Sequence, residues 1–124
     1  MPETKKEQLE TILSGLKKTG GVKGSAVISR DGLIVASDLS ENVDADTFAA
    51  MSAAMQGAAE TAASELKQGN LKQIIVEADK GKVITTSAGE KTILVILASP
   101  DINLGLALIE LGRASGKISS VLGE

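Results

Sequence analysis

The spacing of apolar positions along the chain changes several times, and three stretches have the spacing of amphipathic helices. The first is predicted to begin at Thr4-Lys5-Lys6-Glu7, which has the pattern of a capping box, and to end before Gly20-Gly21. Asp44 can cap a second helix that runs to about Leu66, and Asn103 can cap a third. The sequence therefore predicts three helices separated by shorter segments.

Five segments between the helices have the composition of strands: Val22–Ser29, Leu33–Ser37, Leu71–Ala78, Lys82–Ala88 and Thr92–Ala98. Asp31-Gly32 and the other short connections favour antiparallel neighbours. The run from Ile93 to Leu97 is apolar at every position, which predicts an interior strand with both faces buried. The third strand is interrupted by Lys72, Gln73 and Glu77 and is expected at an edge.

Together these elements predict an α/β fold of the α+β type, in a single domain over residues 1–124. The element order is α-β-β-α-β-β-β-α. Because an interior strand buried on both faces needs cover on both sides, we expect a three-layer α/β/α sandwich around a five-stranded antiparallel sheet.

The second helix carries two stripes of uncharged residues. One is a conventional row, predicted to face the core: Phe48, Met51, Met55, Ala59, Ala62 and Leu66. The other consists of small residues, with Ala50, Ala54, Ala58 and Ala62 repeating every four positions and Ala49, Ala53 and Gly57 beside them. Alanine also fills exposed helix positions as the best helix former. Charges are nearly absent from Thr47 to Gly57, however, which favours a covered face, most simply by a second copy of the chain.

Composition removes several classes of function. Phe48 is the only aromatic residue, and the chain has no cysteine and no histidine, so disulfides, thiolate chemistry and the commonest metal ligand are excluded. A net charge of −3 with both signs interspersed argues against nucleic acid as a partner. No apolar run approaches the roughly 20 residues that span a bilayer, and the N-terminus lacks an apolar signal core, so a cytoplasmic location is expected.

No arrangement of residues predicts catalysis. The glycines near Lys17 and Lys23 lack phosphate-loop spacing and follow a helix, whereas a phosphate loop precedes one. The strand serines have no histidine partner. Two close acidic pairs, Asp44 with Asp46 and Glu77 with Asp79, are explained largely by caps and turns. We therefore expect no catalytic residue, cofactor or metal site.

The element order and four stretches resemble the Roadblock (dynein light-chain) family. These stretches are Gly21–Ala36, the Ala/Met-rich second helix, Gly69–Val76 and Asn103–Leu111. The resemblance implies a homodimer in which the second helices pair and the third strands join two sheets. It also implies non-enzymatic binding of a small Ras-like GTPase. No arginine is a candidate catalytic finger, since Arg30 is interpreted as a turn residue and Arg113 lies on the last helix.

The predicted function is thus a homodimeric scaffold or regulator that binds a small Ras-like GTPase. The alternative is a small-ligand sensor of profilin-like or PAS-like architecture, which requires a cavity. The residues predicted for the dimer interface are Ala50, Ala54, Gly57, Ala58, Thr61, Ile74 and Val76; the surface that binds the partner is left open.

Overall fold

Caps and turns set the bounds of the elements in the computed structural model, which describes residues 3–124. The helices are α1 (Lys5–Lys17), α2 (Ala45–Glu65) and α3 (Leu104–Leu122), and the strands are β1 (Val22–Ser29), β2 (Ile34–Asp38), β3 (Gln73–Ala78), β4 (Gly81–Ser87) and β5 (Thr92–Ala98). The part of the predicted domain formed by Met1 and Pro2 lies outside the described residues.

The predicted caps are confirmed. The Thr4 hydroxyl accepts from the Glu7 backbone N–H at 3.1 Å while the Glu7 carboxylate accepts from the Thr4 N–H, so the capping box is complete. The side chains of Asp44 and Asn103 cap α2 and α3. The predicted bounds of β1 and β5 are also confirmed, and β2, β3 and β4 begin within two residues of the predicted positions.

The sheet has the strand order β2-β1-β5-β4-β3, with every neighbouring pair antiparallel. The predicted interior strand β5 is central, and its residues Ile93 to Ile96 are at most 1% exposed. The predicted edge position of β3 is confirmed as well. β2 forms the opposite edge.

Helices cover both faces of this sheet, so the three-layer arrangement is confirmed. α1 and α3 pack together on one face, over a cluster that includes Leu13, Leu94, Ile96 and Ile118. α2 lies alone on the other face, over Ala26, Ile28, Ile93 and Val95. We call this second surface of the sheet the α2 face.

The two edges of the sheet differ in regularity. In the β1–β2 pair, Val27 lies opposite Ala36 but Ile28 lies opposite Ile34, so Val35 has no partner and forms a bulge. In the β3–β4 pair, all six residues of β3 are in register from Gln73 to Ala78. β3 is therefore the more regular of the two edges.

Candidate interaction surface

α2 contacts the sheet through smaller and more polar residues than its sequence pattern predicts. The buried residues of the helix are Ala49, Ser52 and Gln56. The row predicted to face the core is wrong at two large positions, since Met51 is 63% exposed and Leu66 is 69% exposed. The helix is thus rotated about its axis relative to that prediction.

A buried polar pair accounts for part of this rotation. Thr85 Oγ1 on β4 donates to Gln56 Oε1 at 2.8 Å, and both residues are at most 2% exposed. Burying a polar group without a partner costs free energy, so this bond allows Gln56 to occupy the core side of the helix. The bond joins residues 29 positions apart.

Arg30 holds the C-terminal half of α2 on the sheet. Its Nη1 donates to both carboxylate oxygens of Glu60 at 2.7 Å, its Nη2 to the Ser87 hydroxyl at 2.8 Å, and its Nε to the Glu90 carbonyl at 2.6 Å. The expected role of Arg30 as a turn residue is therefore incomplete. The guanidinium group ties two turns and a strand to α2.

The β1–β2 turn approaches α2 closely on one side. A Cβ on Gly32, whose φ is +93°, would lie 3.5 Å from the Ala50 Cα and 3.8 Å from the Ala53 Cβ. In the same turn the Ser29 hydroxyl donates to Asp31 and holds the pKa of that exposed carboxyl below its usual range. Small residues on this side of α2 thus accommodate the turn.

The exposed surface of α2 consists of two neighbouring stripes. The outer stripe contains Ala50, Ala54, Gly57 and Thr61, which are all exposed. The flank stripe contains Met51, Met55, Ala58 and Ala62, at the i, i+4, i+7, i+11 spacing of one helix side. Gly32 lies beside Ala50 and not beside the flank stripe, so the flank stripe is the one that faces β3.

The flank stripe borders an apolar cleft of about 190 Å³ between α2 and the β3 side of the sheet. Its lining is almost entirely aliphatic and aromatic: Phe48, Met51, Ser52, Met55, Val76, Val83 and Leu97. The register places Ile74 opposite Thr85 and Val76 opposite Val83, which puts both on the α2 face of β3. Both are half-buried.

The structure brings together only part of the interface predicted from the sequence. Ala58, Ile74 and Val76 lie along or beside the apolar cleft, whereas Ala50, Ala54, Gly57 and Thr61 lie on the neighbouring outer stripe. The prediction omitted Met51 and Met55 because it placed them in the core. The signal that could have found them is the four-residue spacing between two methionines, which are adaptable residues common at binding surfaces.

Residues 3–124 contain no group of three or more acidic side chains arranged to hold a metal ion. Among the helices described, none combines the length and the apolar character needed to cross a bilayer. The α2 face has two features that could contact a partner, its apolar cleft and the free edge of β3.

Comparisons with known proteins relate the whole of this arrangement to one family. The uncharacterized protein MJ0310 of Methanocaldococcus jannaschii is 43% identical over 113 residues, which cover 91% of this chain and 98% of that protein. MglB of Myxococcus xanthus has a similar structure, with a TM-score of 0.90 at 19% identity over 99% of this chain and 93% of MglB. A Roadblock/LC7 domain from Streptomyces avermitilis has a TM-score of 0.86 at 22% identity, over 92% of this chain and 97% of that domain. The family model for the Roadblock/LC7 domain matches residues 8–98, and the chain therefore belongs to the Roadblock/LC7 domain family.

Proposed function

We propose that the chain is a non-enzymatic homodimeric scaffold or regulator that binds a small Ras-like GTPase in the cytoplasm. The observation that carries the dimer is the apolar cleft beside the regular free edge of β3, whereas GTPase binding rests on membership of the Roadblock/LC7 family. A free edge with apolar residues on one face is a template for pairing with another strand. Family membership supports the same arrangement, with the third strands paired and the second helices in contact.

The proposed dimer interface is centred on the flank stripe and on the α2 face of β3. Met51 is largely exposed in the single chain and Met55 is half-buried, so both have apolar surface that a partner can bury. Ala58, which follows Met55 along the flank stripe, leaves room for a second helix to approach. In this proposal Ile74 and Val76 belong to the paired edge, and the outer stripe of Ala50, Ala54, Gly57 and Thr61 forms the rim.

Ala58→Glu tests the position of the interface. Because Ala58 is exposed in the single chain, the fold should tolerate glutamate, but a two-fold interface would bury the new charge twice. We expect the variant to be a folded monomer of about 12.7 kDa by light scattering, and the parent chain to have twice that mass.

Two further variants serve as matched controls. Ser120→Glu places the same charge on the exposed side of α3, beyond the opposite face of the sheet, and should leave the dimer intact. Ala54→Glu on the outer stripe should weaken the dimer less than Ala58→Glu. If Ala54→Glu dissociates the dimer while Ala58→Glu does not, the interface follows the stripe predicted from the sequence. A monomeric parent chain at micromolar concentration contradicts the dimer.

GTPase binding is tested with a small Ras-like GTPase from the same organism, loaded with GDP or with a GTP analogue. A regulator that acts by favouring one nucleotide state must bind the two states with different affinity, because a ligand shifts an equilibrium only by its differential affinity. Equal binding would leave a scaffold without a regulatory role, and no binding in either state would contradict the GTPase proposal. The chain alone should not hydrolyse GTP, since its sequence has no phosphate-loop spacing.

The sensor alternative is less well supported by the cleft. Its volume of about 190 Å³ is below the roughly 300 Å³ at which pockets for drug-sized ligands begin. The cleft also opens beside the free edge of β3, as expected for a surface that receives another polypeptide.

A further inference from the structure

A second depression, distinct from the apolar cleft, lies where α2 ends and the chain turns into β3. It has a volume of about 630 Å³, and its lining is polar where that of the cleft is apolar. The side chains that matter here are Arg30, Glu60, Ser64, Lys67, Asn70 and Ser87. We call this depression the polar groove.

Lys67 has an unusual backbone conformation in the polar groove. Its φ is +58°, and within residues 3–124 no other non-glycine residue has a positive φ. The N–H of Lys67 donates to the Ser64 carbonyl and that of Gln68 to the Ala63 carbonyl, which is the Schellman ending of a helix. Glycine is the usual residue at this position, because a side chain there is strained. Strained residues are concentrated at binding and active sites, so the lysine side chain is a candidate functional group.

The lysine charge is uncompensated in the groove. Arg30 and Glu60 neutralise each other's charge through two hydrogen bonds, in which Arg30 Nη1 lies 2.7 Å from each carboxylate oxygen of Glu60. In the described part of the chain, the Lys67 ammonium group forms no salt bridge and donates no hydrogen bond. The groove therefore has a local excess of one positive charge.

Several hydrogen-bond donors around Lys67 are also free. The Ser64 hydroxyl and the Asn70 amide have no hydrogen-bond partner among residues 3–124, and the backbone N–H groups of Gly69, Asn70 and Leu71 donate to no carbonyl there. Arg30 has five N–H donors, and its contacts with Glu60, Ser87 and Glu90 leave one on Nη2. The groove thus offers several free donors beside the Lys67 ammonium group.

The end of α2 does not oppose a negative charge strongly. The carbonyls of Ala62, Ala63 and Ser64 near its end, and that of the cap residue Leu66, each accept a hydrogen bond from residues 66–68, and among residues 3–124 the Glu65 carbonyl alone of this last turn accepts none. The negative end of a helix arises from unsatisfied carbonyls, and these bonds reduce it.

We propose that the polar groove binds an oxyanion, a phosphate or carboxylate group, with Lys67 as its charged ligand and Asn70 and Ser64 as hydrogen-bond donors. Such a group has only acceptor atoms at its surface, which matches a site of free donors with a positive charge. The left-handed backbone of Lys67 places the ammonium group where the customary glycine would leave none. Oxyanion binding at this site requires neither the proposed dimer nor the GTPase.

The test is an NMR titration of the ¹⁵N-labelled chain with inorganic phosphate, and separately with acetate, at constant ionic strength set by chloride. Constant ionic strength holds general screening of surface charges fixed. We expect shifts confined to the amides of residues 64–71 and saturation at millimolar concentration. Saturation by phosphate but not acetate identifies a phosphate site, and the reverse identifies a carboxylate site. Uniform or absent shifts with both anions overturn the proposal.

Lys67→Gly separates binding from helix capping. Glycine relieves the left-handed strain, so this variant should have a higher Tm than the parent chain and yet bind the oxyanion at least roughly tenfold more weakly. Lys67→Gln keeps a side chain at the strained position without the charge and should lose binding without gaining in Tm. Lys6→Gln on α1, at the other face of the sheet, should bind as the parent does. Unchanged binding in both Lys67 variants contradicts the assignment of Lys67.

Discussion

At the scale of single residues, Arg30 ties the helix that carries the proposed interface to the sheet. The flank stripe belongs to α2, and α2 is held to the sheet by a small buried area, with Ala49, Ser52 and Gln56 as its buried residues. Small contacts of this kind leave the tilt of a helix poorly fixed. The bonds from Arg30 to Glu60 and Ser87 fix the C-terminal half of α2, which carries Ala58 and Ala62 of the flank stripe.

Arg30→Lys is expected to destabilise the fold although it conserves the charge. Lysine has no planar fork and cannot contact Glu60, Ser87 and Glu90 at once, so we expect a loss of about 1–2 kcal/mol in the free energy of unfolding by urea denaturation. Arg113→Lys is the control, because the Arg113 side chain is 69% exposed and, within the described chain, hydrogen-bonds only to Glu110. That change should alter stability by less than about 0.5 kcal/mol. Equal effects of the two substitutions would mean that the Arg30 network does not stabilise α2.

At the scale of elements, the strands are the best predicted part of the fold. β5 is a nearly continuous apolar run, and β1 has the apolar residues 26–28 near its end, just before the Arg30-Asp31-Gly32 turn, so local pattern is sufficient to define both strands. The face of α2 was less well predicted because alanine occurs on all sides of the helix and gives its pattern little direction. Which side of α2 faces the sheet depends on Gln56. Its amide can be buried because Thr85, on a strand distant in sequence, donates a hydrogen bond to it. No local pattern contains that information.

Hydrogen exchange can test β3 as the pairing edge. In a dimer joined through β3, the amides of that strand that do not bond to β4 should bond to the partner and exchange slowly. In Ala58→Glu the same amides should exchange much faster, since the edge is then free. The outward amides of β2 should exchange rapidly in both proteins and serve as the internal control. Slow exchange at β2 and fast exchange at β3 would place the interface on the opposite edge.

At the scale of the whole molecule, stability and assembly should be linked. When unfolding also dissociates a dimer, a tenfold rise in protein concentration stabilises it by about 1.4 kcal/mol and raises Tm by roughly 3–6 °C. We expect this dependence for the parent chain in thermal scans and its loss in Ala58→Glu. A Tm independent of concentration in the parent chain would contradict a dimer that persists up to unfolding.

The bulge at Val35 determines how many copies can join through their sheets. A sheet with two usable edges can add copies without limit, as fibrils do, because each addition leaves a new edge exposed. Here β2 is shortened to five residues and interrupted by the bulge, so each copy has a single regular edge to offer. Once two copies pair through β3, the combined sheet ends at β2 on both sides, and growth stops at ten strands. If the proposed pairing through β3 holds, the irregularity of β2 limits the assembly to two copies and keeps a sheet-rich protein from polymerising.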